Sequence, residues 1–337
     1  MLTSPSTETA AGRAADDRAS RRERAGAVLR TFGTAIVAVA LLVVFALSSP
    51  DFLTPTNLDN ILIQISVVGV VSIGETAVML LGGIDLSVGS VLLLSAVVIG
   101  ALTTNAGVPV ALAIPVGLLL ATGMGLINGF FAAVVGIEPI IVTLGTLLAV
   151  QGLAQVLLQA NNSWIMVSDP LFFAMAAGRV AFLPVMGVIM VLLYAAAALV
   201  LARTLFGRYI YALGGNPAAA RLTGLPVTRV LVAAYAFAGL CAGIGGLLAI
   251  AQLGIVSPNV GAGMEFNAVT AVLVGGLSLS GGVGRVEKTL LGALIVGMIA
   301  NYLTLKGVSA YYEQAVSGLV ILAAVILDHL ARRGRTR

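Results

Sequence analysis

The sequence has 337 residues, of which 59% are hydrophobic and only 9% are charged, with a formal net charge of +4 at pH 7. Soluble domains average about half apolar and about a quarter charged residues, so this composition excludes an ordinary soluble domain and indicates an integral membrane protein. The 40 glycines and the single tryptophan suit closely packed transmembrane helices and disfavour a lipid-facing barrel with aromatic girdles.

Ten apolar runs in the sequence are long enough to cross the hydrocarbon core, for which a helix needs about 20 residues. We predict transmembrane helices at 31–49, 60–81, 84–104, 108–136, 140–160, 181–202, 229–252, 266–283, 289–305 and 311–329. The predicted fold class is therefore an all-α integral membrane protein with about ten transmembrane helices.

The two ends of the chain differ from the apolar runs. Residues 1–30 are rich in Ala, Arg, Ser and Asp without a hydrophobic period, which predicts a disordered cytosolic tail. A cleaved signal peptide is the alternative, because an apolar stretch precedes Ala46-Leu47-Ser48. Residues 331–337 form a basic cytosolic tail, and the stretch at 31–330 is expected to be one transmembrane domain.

The distribution of basic residues tests the number of spans, since cytoplasmic segments carry the excess of Lys and Arg. If the N-terminus is cytoplasmic, only Arg179 and Lys306 among the 18 basic residues fall on the outer side. The charge pattern favours ten spans, with both termini in the cytoplasm, in a multi-pass protein of the inner or plasma membrane.

A polar stretch at 212–229, ALGGNPAAARLTGLPVTR, lies between two apolar runs. In the predicted topology it belongs to the largest internal cytoplasmic loop. Asn216 is a favoured N-cap, Pro217 fits the first helical position, and Gly224 lies where a glycine would end a helix. A helix of about two turns is not stable alone in water, so it must be docked against something. The alternative is a plain anchor whose basic side chains contact lipid headgroups.

Two similar stretches suggest an internal duplication: TAVMLLGGIDLS at 76–87 and TAVLVGGLSLS at 270–280. Both run toward the cytoplasmic side in this topology, so their Gly-Gly pairs would lie at similar depth. Duplicated halves with glycine-interrupted helices build the central pathway of many transporters. Coincidence among small apolar residues is the alternative.

Polar residues inside the spans mark a pathway by default, because charge in lipid is costly. The ionisable ones, Glu75, Asp85 and Glu138, have no evident basic partner, which argues against a proton- or sodium-coupled carrier and against a cation pore. Amides are more frequent and suit a neutral polyhydroxylated solute, although bonding between helices also explains them: Gln64, Asn128, Gln151, Gln155, Asn267 and Asn301. The predicted pathway residues are Gly82, Gly83, Asp85, Asn128, Asn267, Gly275 and Gly276.

Motifs for covalent chemistry are missing from the sequence. It contains no G-x-x-x-x-G-K-[ST] loop for nucleotide phosphates, and no catalytic or metal-binding constellation. The single Cys241 cannot form an intrachain disulfide and is expected to be a small buried hydrophobe. We therefore expect a transport protein and not an enzyme, without a metal, a bound cofactor or a nucleic acid partner.

Four stretches of this sequence, in the right order, resemble the signature segments of ribose-type ABC importer permeases, the membrane subunits of monosaccharide uptake systems. They are GGIDLSVGS (82–90), EPIIVTLGT (138–146), FGRYIYALGGNPAAARLTG (206–224) and GGLSLSGGVGRVEKTLLGAL (275–294). The resemblance extends over nearly everything between residues 31 and 329 and leaves out the tail at 1–30.

The resemblance implies three protein partners, one within the lipid membrane and one at each of its two faces. These are a second permease copy or a paralogue, a cytoplasmic ABC ATPase that uses ATP and Mg, and an extracytoplasmic sugar-binding protein. It also implies that the segment from Asn216 to Gly224 is a coupling helix that sits in a cleft on the ATPase, with Gly214 and Gly215 as a flexible lead-in. The expected ATPase-coupling residues are Gly214, Gly215, Asn216, Pro217, Ala218, Ala219, Arg221, Leu222 and Gly224. The alternative function is an ion-coupled secondary transporter of a small neutral solute, with 212–229 as a mere anchor.

Overall fold

The computed structural model describes residues 32–308 together with 312, 315, 317–319, 321–322 and 326. The predicted cytosolic tails at 1–30 and 331–337, and most of the predicted span at 311–329, lie outside the described residues.

The described chain is mainly helical, with two-residue strands in its connections. The helices are α1 Phe32–Ser48, α2 Pro55–Leu80, α3 Val88–Thr104, α4 Val110–Phe130 with a π-helical turn Phe131–Val135, α5 Pro139–Gln159, α6 Pro170–Ala177, α7 Val185–Arg203, α8 Leu205–Gly215, α9 Pro217–Leu222, α10 Val227–Leu253, α11 Met264–Val274 and α12 Val286–Leu305. The strands are β1 Ile165–Met166, β2 Arg179–Val180, β3 Leu183–Pro184 and β4 Ile255–Val256. Strand β1 pairs antiparallel with β4, and β2 with β3.

Six of the described helices are long and apolar enough to cross a membrane: α2, α4 with its π-helical turn, α5, α7, α10 and α12. Helices α1, α3 and α11 are apolar but shorter. Helices that satisfy their own backbone hydrogen bonds are the usual way for an apolar chain to cross lipid. The protein is therefore an all-α, multi-pass membrane protein.

Two helix boundaries differ from the predicted spans. The helix predicted at 84–104 begins only at Val88, because residues 81–87 form the turn that follows α2. The span predicted at 266–283 is helical only as far as Val274, since Gly276 has a φ of 88° and ends the helix. At 1.5 Å per residue, α11 is about 16 Å long, roughly half the thickness of the hydrocarbon core.

Helices α2 and α10 form the centre of the bundle. Every residue of α2 from Ile65 to Leu80 is buried, and α10 packs against α2, α3 and α4. Helices α4 and α5 instead leave large apolar side chains exposed, such as Leu119 at 71% and Leu148 at 72%. Exposed side chains of this kind suit lipid or another membrane-embedded subunit.

Small residues let α4 and α10 approach each other backbone to backbone. A Cβ added at Gly125 would overlap the carbonyl oxygen of Tyr235 on α10, and one added at Gly239 would overlap the carbonyl oxygen of Ala121 on α4. Such contacts between backbones are the main source of association when lipid removes the hydrophobic driving force. Glycine at these two positions therefore fixes how closely the helices pack.

The main helices run alternately up and down between the two ends of the bundle. The start of α1 lies beside the end of α11, where the Thr34 hydroxyl donates to the Val274 carbonyl. The end of α1 lies beside the end of α12, where the Lys306 Nζ donates to the Ser48 carbonyl. The end at which α2, α4, α7 and α11 finish is called the arginine-rich end and carries Arg203, Arg208, Arg221, Arg229 and Arg285. The opposite end carries Lys306 and Arg179, which pairs with Asp59 near the start of α2.

Candidate functional site

Helix α9 is capped at both ends as its sequence predicts. The Asn216 side chain accepts a hydrogen bond from the Ala219 N–H at 3.0 Å, and Pro217 is the first helical residue. At the other end Gly224 has a φ of 74°, and its N–H donates to the Arg221 carbonyl at 3.2 Å. The predicted short helix between Asn216 and Gly224 is confirmed, because local capping signals determine it.

One residue seats α9 on the bundle while the others are exposed. Ala220 is buried, with 4% of its surface accessible, whereas Ala218, Ala219 and Arg221 are exposed. Leu222 is 90% exposed. The arginine-rich end therefore presents a short helix with both an apolar and a basic side chain on its open surface.

Gly214 and Gly215 are the last two residues of α8, so the predicted flexible lead-in is wrong. Gly214 is buried, and a Cβ added there would overlap the carbonyl oxygen of Leu80 and lie 2.6 Å from the backbone N of Gly282. The Gly282 N–H donates to the same Leu80 carbonyl at 2.8 Å. The end of α8 is thus held against the end of α2 and the loop after α11, while a Cβ at Gly215 would meet open space.

The two repeated stretches end their helices in the same way. After α2, the N–H groups of Gly82 and Gly83 donate back to helix carbonyls at 3.0 and 3.1 Å; after α11, those of Gly276 and Leu277 do so at 2.8 and 3.2 Å. Gly82 and Gly276 have φ values of 81° and 88°, as expected for the left-handed residue of this cap. Aligning the two Gly-Gly pairs by sequence matches Gly82 with Gly275. The backbone instead matches Gly82 with Gly276, which is one position further on.

The seven residues predicted to line a pathway lie in three separate places. Gly82, Gly83, Gly275 and Gly276 lie at the arginine-rich end, Asp85 and Asn128 lie in a buried polar network, and Asn267 lines a cavity nearer the opposite end. Gly275 packs against the backbone of Lys288 at the start of α12. The loop after α11 contacts both Gly82 and the end of α8, whereas Gly83 packs against Tyr235 of α10, and none of the four glycines lines the cavity with Asn267.

The buried polar network joins α2 to α5 through a chain of hydrogen bonds. The Thr146 hydroxyl donates to the Asn128 carbonyl oxygen at 2.6 Å, and the Asn128 amide donates to the Ser87 hydroxyl at 2.8 Å. The Ser87 hydroxyl donates to Asp85 Oδ1 at 2.6 Å, and the Asp85 N–H donates to Glu75 Oε1 at 3.2 Å. All four bonds point toward the carboxyl groups, so the network replaces part of the water that burial removes. Glu75 Oε2 is buried and has no hydrogen-bond partner among the described residues.

Neither carboxyl group in this network takes part in the two ion pairs found between described side chains. Sequence patterns missed Ser87 and Thr146, although both lie in the stretches GGIDLSVGS and EPIIVTLGT that carry the family resemblance.

No group of three or more His, Cys, Asp or Glu side chains within the described part of the chain could hold a metal ion. Cys241 is buried in α10, as predicted.

Two cavities lie at different depths of the bundle. A groove of about 710 Å³ at the arginine-rich end is lined by Arg221, Arg229 and the π-helical turn after α4. A second cavity, of about 310 Å³, lies among α2, α3, α10, α11 and α12, and Gln64 and Asn267 contribute to its wall. The groove adjoins α9, whereas the second cavity is lined by the membrane helices themselves.

Comparison with known proteins identifies the family. A family model described as branched-chain amino acid transport system / permease component matches residues 57–325. The ribose import permease protein of Haemophilus influenzae is 40% identical over 296 residues, which cover 87% of this chain and 91% of that protein. The ribose import permease protein of Bacillus subtilis is 37% identical over 301 residues, covering 89% and 93%. The L-arabinose ABC transporter permease protein of Azospirillum brasilense is 33% identical over 337 residues, covering 99% and 96%.

No solved structure matches the chain. The relatives are named as permeases, which are transport subunits and not enzymes, and the resemblance of the four signature stretches is confirmed. The chain therefore belongs to the family of membrane-embedded permease components of ABC importers.

Proposed function

We propose that this chain translocates a monosaccharide or a similar sugar across the inner or plasma membrane by alternating access, powered by ATP hydrolysis in a separate subunit. The observation that carries the proposal is the identity of 33–40% to permeases named for ribose and L-arabinose, over 91% or more of each relative. The family model is described for branched-chain amino acids, but it covers less of the chain than the L-arabinose relative does. Family membership decides against the ion-coupled secondary transporter, because a permease component draws its energy from a partner.

The proposed topology has ten spans with both termini in the cytoplasm. The alternating directions of the described helices support it, as does the separation of Arg179 and Lys306 from the arginine-rich end. In this topology the arginine-rich end is cytoplasmic, residues 31–330 form the permease domain, and 1–30 and 331–337 are cytosolic tails.

The proposed partners follow from this arrangement. An ABC ATPase would bind at the cytoplasmic end and hold the ATP and Mg, so that this chain binds no cofactor itself. A second permease copy or a paralogue would cover part of the exposed apolar surface of the bundle, with lipid on the remainder. A sugar-binding protein would deliver the solute at the opposite, extracytoplasmic end.

We assign ATPase coupling to α9, with Asn216, Pro217 and Gly224 forming its caps. Ala218, Ala219, Arg221 and Leu222 would contact the ATPase, because these residues are exposed while Ala220 holds the helix to the bundle. Gly214 links α9 to the end of α2 through its contact with Leu80, and Gly215, whose Cβ position is open, only connects Gly214 to Asn216. Movement of α9 during closure of the ATPase would therefore reach the cap of α2 and, through Gly282, the loop after α11.

The pathway assignment is narrower than the set predicted from the sequence. Asn267 keeps a direct role, because it lines the cavity between the membrane helices. Gly82, Gly83, Gly275 and Gly276 would instead shape the moving ends of α2 and α11, and Asp85 and Asn128 would hold α2, α3 and α4 together. A solute in this cavity would thus meet amide side chains. The glycines would lie nearer the arginine-rich end.

Changing Ala219 to Asp or Leu222 to Asp should separate the permease from its ATPase without preventing insertion in the membrane. Both side chains are exposed and make no hydrogen bond within the described residues, so the fold loses little. A charge at an apolar contact that excludes water, or the loss of a central leucine, costs about 2 kcal/mol or more, which weakens binding roughly 30-fold. Co-purification of the ATPase and stimulation of its hydrolysis measure the effect.

Phe182→Asp provides the matched control, because Phe182 is also an exposed apolar residue, at 77%, but lies in the connection before α7, at the opposite end. This variant should bind the ATPase as the wild type does. If Ala219→Asp and Leu222→Asp both keep full binding and stimulated hydrolysis, α9 is not the coupling element, and its arginines are better explained as an anchor for lipid headgroups.

A further inference from the structure

The cavity of about 310 Å³ between the membrane helices has a lining suited to a small uncharged solute. Its polar lining consists of amides and one hydroxyl, from Gln64, Gln252, Asn259, Asn267 and Thr304, and none of the described Asp, Glu, Lys or Arg residues lines it. Its volume is at the lower end of the range of about 300–1,000 Å³ that is usual for ligand sites. An ion would find no counter-charge on these described lining residues.

Two of these amides are available to a ligand. Within the described part of the chain, no residue hydrogen-bonds to the side chain of Gln64 or Gln252, and both are partly exposed to the cavity. Other amides of the bundle are already paired: Asn57 and Asn301 exchange two hydrogen bonds of 2.9 Å, and Asn267 accepts one from Ser317 at 2.9 Å. Unpaired amides facing a cavity at membrane depth require water or a solute as a partner.

The hydrogen-bonding capacity of an amide matches that of a sugar hydroxyl. Each glutamine offers one acceptor and two donors, and every hydroxyl of a sugar both donates and accepts. Val67, Val68 and Leu253 provide apolar surface for the C–H face of a sugar ring. Among the described residues, no aromatic ring lines the cavity for a sugar to stack on, so we expect weak binding, as passage requires.

Buried apolar side chains border the cavity on its side toward the arginine-rich end. Leu92 forms part of its lining, and Leu92 and Val71 are completely buried and pack against Gly245 of α10. A Cβ added at Gly245 would lie 2.6 Å from a methyl carbon of Val71 and 3.1 Å from one of Leu92. A solute in the cavity is therefore separated from the cytoplasmic end by this apolar layer.

We propose that this cavity holds the sugar during its passage, with Gln64 and Gln252 as hydrogen-bonding residues and the layer of Val71 and Leu92 as the barrier that opens toward the cytoplasm. The inference rests on the proposed function. To that function the inference adds the residues that contact the solute. It also adds that the structure represents a state closed on the cytoplasmic side.

The test uses proteoliposomes that contain the permease with its ATPase and its sugar-binding protein, and a panel of D-ribose, L-arabinose, D-allose and D-fructose. Gln64→Leu and Gln252→Leu keep nearly the same side-chain size and remove the hydrogen bonds. We expect each to lower ATP-driven uptake of the best sugar about fivefold to tenfold, as the loss of a hydrogen bond does. Gln155→Leu, which removes an exposed amide from α5 outside the cavity, should leave uptake unchanged.

A second measurement detects the sugar directly. Gln252→Cys in a Cys241→Ser background should react with a membrane-impermeant maleimide, and the transported sugar at millimolar concentration should slow this reaction. Three results would overturn the site, provided that the wild type still shows ATP-driven uptake. They are unchanged uptake in both leucine variants, an equal loss of uptake in Gln155→Leu, and labelling that is insensitive to sugar. Absence of ATP-driven sugar uptake in the wild type would contradict the proposed function and this site together.

Discussion

Gly214→Ala is expected to uncouple transport from ATP hydrolysis, whereas Gly215→Ala, one residue further on, is expected to transport normally. A Cβ at position 214 would overlap the carbonyl oxygen of Leu80 and would lie 2.6 Å from the backbone N of Gly282. Because both obstacles are backbone atoms, the end of α8 must move away from α2. A methyl group that is forced into a packed contact costs about 1–3 kcal/mol, and each 1.4 kcal/mol is about a tenfold change in an equilibrium.

The measurement compares uptake and ATPase activity of the two variants at equal membrane levels. We expect Gly214→Ala to bind the ATPase, since α9 remains exposed, but to show uptake reduced about tenfold or more. Gly215→Ala is a strict control, because its Cβ would have no heavy atom within 4 Å and alanine favours the helix. Equal uptake by both variants would show that the contact between Gly214 and Leu80 does not transmit the motion.

Gly125→Ala is expected to cause the largest loss of stability among the glycine-to-alanine replacements in α4. Its Cβ would overlap the carbonyl oxygen of Tyr235 and lie 3.0 Å from the Cα of Ala236, so the backbones of α4 and α10 would have to separate. Since close packing provides most of the attraction between membrane helices, we expect a loss of about 2–3 kcal/mol, near the upper end for overpacked contacts.

Gly123→Ala provides the control within the same helix. A Cβ at Gly123 would have no heavy atom within 4 Å, and replacing an unconstrained glycine by alanine gains up to about 1 kcal/mol in a helix. Thermal unfolding of the purified permease in detergent should therefore give a lower Tm for Gly125→Ala and an equal or higher Tm for Gly123→Ala. The packing account fails if the two variants unfold at the same temperature.

Features that depend on neighbouring residues could be predicted from the sequence. The bounds of α9 follow from Asn216, Pro217 and Gly224, because caps act within one turn of the helix. The repeated stretches likewise indicated two glycine-terminated helices, although only the hydrogen bonds show that Gly82 corresponds to Gly276. Hydrophobic length identified the central spans but not the short α11, because a continuous apolar run does not reveal where a helix stops.

Features that depend on distant pairings could not be predicted. The partners Asn57 and Asn301 are 244 positions apart, and Ser87 and Asn128 are 41 apart, so no local pattern shows which amide serves the fold and which faces the cavity. The two glycines before α9 illustrate the same limit. Glycine in a loop usually indicates freedom of the backbone, but Gly214 is required because the Leu80 carbonyl approaches it too closely for a side chain.

ATP-driven uptake of a sugar tests the account most directly. The permease is reconstituted with its ABC ATPase and its sugar-binding protein, and uptake of D-ribose and L-arabinose is measured with ATP supplied on the side of the ATPase. We predict uptake that requires ATP hydrolysis and both partners, and that persists when proton and sodium gradients are collapsed. Uptake that is driven by an ion gradient without ATP, or no transport of any sugar by the complete complex, would contradict the account.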